Sequence, residues 1–364
     1  MQKFAGFKAP ASRDPALKIQ LREGTVKNPG PRHPDHPDSP DILCLGDLNM
    51  DYLIRADHFP LPGGESVIQD AKTRPGGSAA NCAVALSRLG VRAGLIARAG
   101  RDDPGREARE ALANCKVETR LIEEDPDEAT GLVFVIITSD GERTMFSRRG
   151  ANRRLSGRRL SPESFRGCSI LHISGYALMS PEGRLAVWKA AELAKAAGLR
   201  ITCDPGTAAA GDEQARQALM ALVPHIDLLF PNEMELELLS GSVNPRAENP
   251  YPEPTLPSEP GPRPELHARN LAGRAEPLLQ SGLKGVVVTL GDKGCLIITA
   301  HEEIYTPVDR EIQVQAGMGN ATGAGDAFAA GFLAAMLSGS SLEECAKAGN
   351  QAGARAVSGN LFEE

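Results

Sequence analysis

Asn320-Ala321-Thr322-Gly323-Ala324-Gly325-Asp326-Ala327-Phe328 is the segment of this chain whose residue types could do chemistry. From Ala329 to Leu337 it continues with a helical composition that is apolar nearly all round, which predicts a buried helix. Gly323, Ala324 and Gly325 would form its N-terminus, where the first backbone N–H groups have no intrahelical acceptor. Small residues there let a ligand approach those donors closely. Together with the helix dipole they make an anion site suited to a transferring phosphoryl group. A carboxylate directly after them, Asp326, is out of place for anion binding alone. It suits a reaction in which a hydroxyl loses its proton beside that phosphoryl group. The plain alternative is a glycine turn with an aspartate cap. No Lys-Ser or Lys-Thr follows the glycines as a Walker A loop requires, and neither Gly317-Met318-Gly319 nor Gly323-Ala324-Gly325 continues as GxGxxG.

Such a helix needs a scaffold. Short apolar runs recur at residues 42–46, 93–97, 170–173, 201–203, 228–230 and 285–290 and read as buried strands. Helical patterns lie between several of them, at 78–89, 181–197 and 232–239. This alternation predicts an α/β fold with a mostly parallel sheet covered on both faces, whose ligands bind at the carboxyl ends of the strands. Two polar, hairpin-like stretches at 52–75 and 129–149 break the pattern, the second around Ser139-Asp140-Gly141. They are expected to form a small separate sheet, a lid, through which a homodimer could also form.

Residues 1–40 read as a disordered tail and 41–364 as the folded domain, interrupted by an exposed proline-rich loop at about 243–267. A formal net charge of −7 gives no basic face for nucleic acid. No apolar run spans a bilayer. Seven cysteines without a CxxC pair suggest reduced thiols in a cytoplasmic protein rather than a zinc site or a disulfide framework.

The segment around Asp326 resembles the C-terminal signature DTxGAGDxFxxGF of the PfkB, or ribokinase-like, carbohydrate kinases, including Phe328, Gly331 and Phe332. Gly46-Asp47-Leu48-Asn49-Met50-Asp51 resembles that family's opening GxxNxD, and Pro75-Gly76-Gly77-Ser78-Ala79-Ala80-Asn81 its GGxxxN motif. Three separated matches in the right order cover roughly residues 41–358. The resemblance implies a three-layer α/β/α fold with a β-sheet lid and ATP-dependent phosphorylation of a sugar hydroxyl, with Mg2+. It implies that Asp326 is the base and that Gly323, Ala324 and Gly325 form the anion hole. Asn49, Asp51, Gly76, Gly77 and Asn81 would bind the sugar, the Asp51 carboxylate accepting from two adjacent hydroxyls. Pro231-Asn232-Glu233-Met234-Glu235 resembles the family's NxxE motif, which makes Glu235 a Mg2+ residue acting through water and Asn232 a nucleotide-side residue. Thr289-Leu290-Gly291-Asp292-Lys293-Gly294 resembles the nucleotide-contacting TxGxxG turn, so Thr289, Gly291 and Gly294 are expected there, with Asn350 closing over the adenine. One departure is Asn320-Ala321 where the family has Asp-Thr, which removes a charge and a hydroxyl near the phosphate site.

Aromatic content of only 4% leaves few rings to stack on a base, favouring a sugar over a nucleoside. Arg148-Arg149 at the end of the second lid stretch resembles the 2-keto-3-deoxygluconate kinases, in which an arginine of this strand meets the substrate carboxylate; Arg148 is the candidate here. A solvated edge strand protected by its charges is the alternative. The substrate is thus expected to be a sugar or sugar acid. A different class, a catalytically silent sugar-binding regulator on a kinase fold, is opposed by the intact Asp326 and GAG turn.

Overall fold

The computed structural model of the protein describes residues 39–139, 143–241, 264–309 and 323–358. Most of the expected tail, the turn at Asp140-Gly141, most of the proline-rich stretch and Asn320-Ala321 lie outside these residues.

In chain order the first half contains β1 (Ile42–Leu45), β2 (Asn49–Ala56), β3 (Ile68–Gly76), α1 (Ser78–Arg88), β4 (Ala93–Gly100), α2 (Asp103–Asn114), β5 (Ile122–Asp125), β6 (Gly131–Ile137) and β7 (Arg143–Arg148). It continues through β8 (Ile170–Ser174), α3 (Pro181–Ala196), β9 (Arg200–Asp204), α4 (Thr207–Gly211), α5 (Glu213–Leu222), β10 (Leu228–Leu229) and α6 (Glu233–Leu239). The remainder is α7 (Pro264–Gln280), β11 (Gly285–Thr289), β12 (Cys295–Thr299), β13 (Glu303–Thr306), α8 (Ala324–Leu337) and α9 (Leu342–Val357). Helix α7 begins inside the stretch expected to be a proline-rich loop, because Pro264 is tolerated in a first turn, where its missing N–H has no intrahelical acceptor to lose.

Among the described residues nine strands form one sheet in the order β13-β12-β11-β10-β9-β8-β1-β4-β5. It is parallel from β11 to β5, and β12 and β13 add an antiparallel edge that the apolar runs did not announce. Strand side chains alternate between faces, so each run feeds two cores. Leu43 and Leu45 pack with residues of α3, α5, α6 and α7, whereas Ile42 and Cys44 pack with α1 and α8. Helix α8 is buried along nearly its whole length. Gly331 permits this: a Cβ there would lie 2.5 Å from the Ala348 carbonyl oxygen of α9. The glycine of the GF pair therefore serves helix–helix contact.

Strand β1, third from the β5 edge, pairs with β4 on one side and β8 on the other, so the strand order reverses there. Such a switch point opens a crevice beyond the strand ends. Gly46 ends β1 there, with no room for a side chain between Ala79 and Ser174. The lid is a separate sheet, β3-β2-β6-β7, as the two hairpin-like stretches predict. Its β2 and β6 run parallel, whereas β3 and β7 pair antiparallel to them.

All seven cysteines carry free thiols. No helix among the described residues is long and apolar enough to cross a membrane.

Candidate active site

Gly323 adopts the left-handed conformation, φ 83°, and caps the N-terminus of α8. That geometry strains residues with a Cβ, which accounts for the glycine. The first intrahelical bond runs from the Ala327 N–H to the Gly323 carbonyl at 2.9 Å. The N–H groups of Ala324, Gly325 and Asp326 therefore precede it without helical acceptors. A Cβ on Gly325 would meet nothing within 4 Å among the described residues, so this turn is open on their side.

The Asp326 side chain leaves the first turn of α8 toward α1. Ser78 Oγ donates to Oδ1 at 2.7 Å and Asn81 Nδ2 donates to Oδ2 at 2.9 Å. Both carboxylate oxygens are thus oriented, yet each keeps a lone pair. Burial raises the Asp326 pKa above the usual carboxylate range; the Ser78 and Asn81 hydrogen bonds and the Arg74 charge oppose that rise. Asn81, expected to meet the sugar, donates one N–H to Asp326 and keeps its second N–H and its oxygen for other partners. Neither Ser78 nor Arg74 stands at a signature position of the family motifs, so only the fold brings them to Asp326.

Asp51 lies on β2 with Arg74 directly opposite on β3. It is 5% exposed, and its Oδ1 is buried without a hydrogen-bond partner among the described residues. Burial pushes its carboxyl up to about 6, with Arg74 lowering it and Asp326 raising it. A Cβ on Gly76 would fall 2.1 Å from Asp51 Oδ2, so Gly76 exists to let this carboxylate lie across the strand. Gly77, φ 98°, turns the chain into α1 within 2.3 Å (Cβ position) of the Asp47 carbonyl oxygen. Asn49, two residues before Asp51 and on the same strand face, accepts from Asn152 Nδ2 at 2.8 Å.

On the other side of the crevice, β10 and β11 bring Asn232 and Thr289 together in a parallel bridge, with the Thr289 N–H donating to the Pro231 carbonyl at 2.9 Å. Asn232 and Glu235 form a reciprocal capping box at 2.8 and 2.9 Å. Thr207 Oγ1 donates to the second Glu235 oxygen at 2.8 Å. Gly291 (φ 60°) and Gly294 (φ 103°) shape the turn that follows β11. Asn350 is buried on α9 and donates to the Thr306 and Pro307 carbonyls at 3.0 and 3.3 Å, which places it under the loop after β13.

Asp204 ends β9 between these two halves. Burial raises its carboxyl well above the ordinary range, and the Glu235 and Asp326 charges add to the rise. Burial likewise raises Glu235, with a further contribution from Asp326. Asp204, Glu235 and Asp326 therefore lie close enough for their charges to disfavour one another's ionisation. Among the described residues no three acidic, histidine or cysteine groups converge closely enough to hold a metal.

Arg148 is not part of this arrangement. Its side chain is 60% exposed and lies 3.7 Å from Glu128. The neighbouring Arg149 turns inward and pairs with both Asp47 oxygens at 2.6 and 3.1 Å.

The family model described as "pfkB family carbohydrate kinase" matches residues 39–360. The chain is 30% identical to fructokinase-1 of Zea mays over 266 residues, covering 71% of this chain and 72% of that one. It is 27% identical to a nucleoside kinase of Methanothermobacter thermautotrophicus over 307 residues, 84% of this chain and 86% of that one. Among solved structures, an E. coli protein assigned as a ribokinase II, in complex with ATP and Mg2+, superimposes with a TM-score of 0.69 at 25% identity, covering 88% of this chain and 93% of the other. With the family match spanning nearly all of the described residues and both sheets in place, the chain belongs to the pfkB family of carbohydrate kinases.

Proposed function

We propose that the protein transfers the terminal phosphoryl group of ATP to a hydroxyl of a small sugar or sugar acid, with Asp326 as general base. The observation that carries this reading is the doubly oriented Asp326 carboxylate at the open N-terminus of α8. Asp326 takes the hydroxyl proton, while the Ala324, Gly325 and Asp326 N–H groups face the charge that develops on the transferring group. Asp51 and Asn49 hold the sugar at the lid root. Thr289, Gly291, Gly294 and Asn232 line the nucleotide side, with Asn350 supporting the wall beside them.

The site residues fit Mg2+. Glu235 retains acceptor capacity on both oxygens, and a divalent cation beside it would offset both the burial and the mutual repulsion that raise the Asp204 and Glu235 carboxyls. Mg2+ keeps several waters and needs few protein ligands, so Glu235 would hold it through water. When bound, it supplies neutralisation of phosphate charge. The reading is tested by ATP consumption with a panel of pentoses, hexoses and aldonic acids in the presence of Mg2+. No turnover with any acceptor would favour the silent sugar-binding regulator.

An acidic substrate recognised by Arg148 has little geometric support, because that side chain faces solvent beside Glu128. Among the described residues, Arg74 is a cation whose charge reaches both site carboxylates. Its charge holds both Asp51 and Asp326 below where burial alone would put them. The acid limb of the kcat–pH profile, where protonation of Asp326 stops catalysis, should therefore lie above the ordinary carboxylate range. Arg74→Gln should move that limb to still higher pH. An unmoved limb would separate Arg74 from the base.

The lid exposes Phe59, Leu61, Val67, Ile68, Met145 and Phe146, with Phe59 and Phe146 stacked at 6.3 Å between centroids. A second copy of the chain would cover this apolar surface. Sedimentation equilibrium should then show a dimer that Phe146→Lys dissociates, and a monomeric wild type would rule the arrangement out.

A further inference from the structure

Asn152 carries no role in the proposed chemistry, yet it is only 2% exposed and sits where three lid strands meet the main domain. It belongs to the short 3-10 helix Gly150–Arg154 that follows β7. Its Oδ1 accepts the Leu48 N–H at 2.9 Å. Its Nδ2 faces the Leu48 carbonyl at 3.2 Å, the Arg149 carbonyl at 3.0 Å and Asn49 Oδ1 at 2.8 Å. Gly131, the first residue of β6, closes the node, since a Cβ there would lie 2.1 Å from Asn49 Oδ1 and 2.4 Å from Asn152 Nδ2.

The polarity of this node follows from elementary hydrogen-bond chemistry. A backbone N–H can only donate, so the atom facing Leu48 N must be the Asn152 oxygen. Two backbone carbonyls can only accept, so the Asn152 amide nitrogen must face them. That nitrogen also faces Asn49, and a second N–H2 group there would set donor against donor inside a buried node. Asn49 therefore turns its oxygen to Asn152. Its N–H2 is left for the open side, and no group among the described residues takes it. Asn49 shares its strand face with Asp51, whose ionised carboxylate can only accept.

We propose that Asn152 is a positioning residue that locks the Asn49 amide with its N–H2 toward the acceptor sugar, so that the site presents one donor, Asn49, beside one acceptor, Asp51. The substrate oxygen at Asn49 then serves as an acceptor and tolerates a group without a hydrogen, whereas the oxygen at Asp51 must bring one. This inference rests on the reading of Asn49 and Asp51 as sugar-binding residues.

Two measurements on the full chain test it. In the wild type, side-chain amide hydrogen exchange by NMR, assigned with Asn49→Asp and Asn152→Asp, should show a protected Asn152 N–H2 and a fast-exchanging Asn49 N–H2. In Asn152→Asp the Asn49 amide should turn over and become protected. In a double-mutant cycle with D-ribose and D-fructose as acceptors, Asn49→Ala and Asn152→Asp should each raise the acceptor KM by roughly 3- to 10-fold, the range of one lost hydrogen bond. The double variant should be no worse than Asn49→Ala, and the KM for ATP should stay within about twofold throughout. If Asn152→Asp does not fold, Asn152→Ala replaces it in the cycle, and the wild-type exchange pattern needs no substitution at 152. A protected Asn49 amide in the wild type overturns the proposal, as do additive KM losses or a parallel rise in the KM for ATP. Lack of turnover with either sugar counts against the sugar reading instead, and the exchange pattern then decides for or against the lock by Asn152.

Discussion

Asp326→Asn is expected to lower kcat by about 10²–10⁴-fold, the range a general base contributes, while sugar and nucleotide affinities change little. The substitution is well tolerated by the surroundings. The asparagine oxygen can take the Asn81 Nδ2 donor, and its N–H2 can donate to Ser78, whose hydroxyl rotates to accept. The variant therefore keeps the shape of the site and the α8 N-terminus and loses only the ability to take a proton. Initial rates, together with equilibrium binding of a non-hydrolysable ATP analogue, separate these effects. A variant that retains most of its turnover would remove Asp326 from the role of base. Loss of nucleotide binding in step with rate would instead indicate that the turn had collapsed.

Asp51→Asn should move activity and stability in opposite directions. Two sugar hydroxyls lose an ionised acceptor, and hydrogen bonds to charged groups are worth about 1.5–3 kcal/mol each. A fall in kcat/KM of about 10²-fold or more follows. Stability responds to the buried charge. The folded-state carboxyl titrates at about 6 against an ordinary 3.8, so the folded protein binds the proton more tightly than the unfolded chain does. The carboxyl is thus no burden below about pH 4, and stability declines as pH rises through about 6. At pH 7.5 the ionised, partly unpartnered group costs about 3 kcal/mol. Removing it should raise Tm by several degrees at pH 7.5, with the gain shrinking toward pH 4. A destabilised variant at neutral pH, or a gain independent of pH, would show that Arg74 and Asp51 stabilise one another more than burial opposes them.

Much of this protein is legible from the order of its residues, for local reasons. Periodicity places the parallel strands other than β5, together with α1, α3 and α6, and the breaks in it mark the lid, because a half-buried strand and a two-sided core leave different spacings. The glycines at 76, 77 and 323 and the carboxylates at 51 and 326 stand out because backbone approach and proton transfer admit few other residue types. Other elements escaped this reading, β5, α2 and α5 among them. The β12–β13 hairpin extends the sheet antiparallel, and α7 starts inside a proline-rich stretch; in both cases long-range packing outweighs local composition.

Only the tertiary structure decided which polar groups meet. Asn81 and Ser78 lie 245 and 248 residues from Asp326, so no local pattern records that they orient it. Adjacent arginines at 148 and 149 look equivalent in sequence, but the end of β7 turns one outward to Glu128 and the other inward to Asp47. Asn152, about 100 residues from Asn49, gives no sign in sequence that its amide donates to the Asn49 side chain. The raised carboxyls of Asp51, Asp204, Glu235 and Asp326 exist only once burial strips their water and the fold brings the charges together. Residue types set what chemistry the chain can do, while long-range contacts set the partner, polarity and protonation of each group, because hydrogen bonds and desolvation depend on distance in space rather than along the chain.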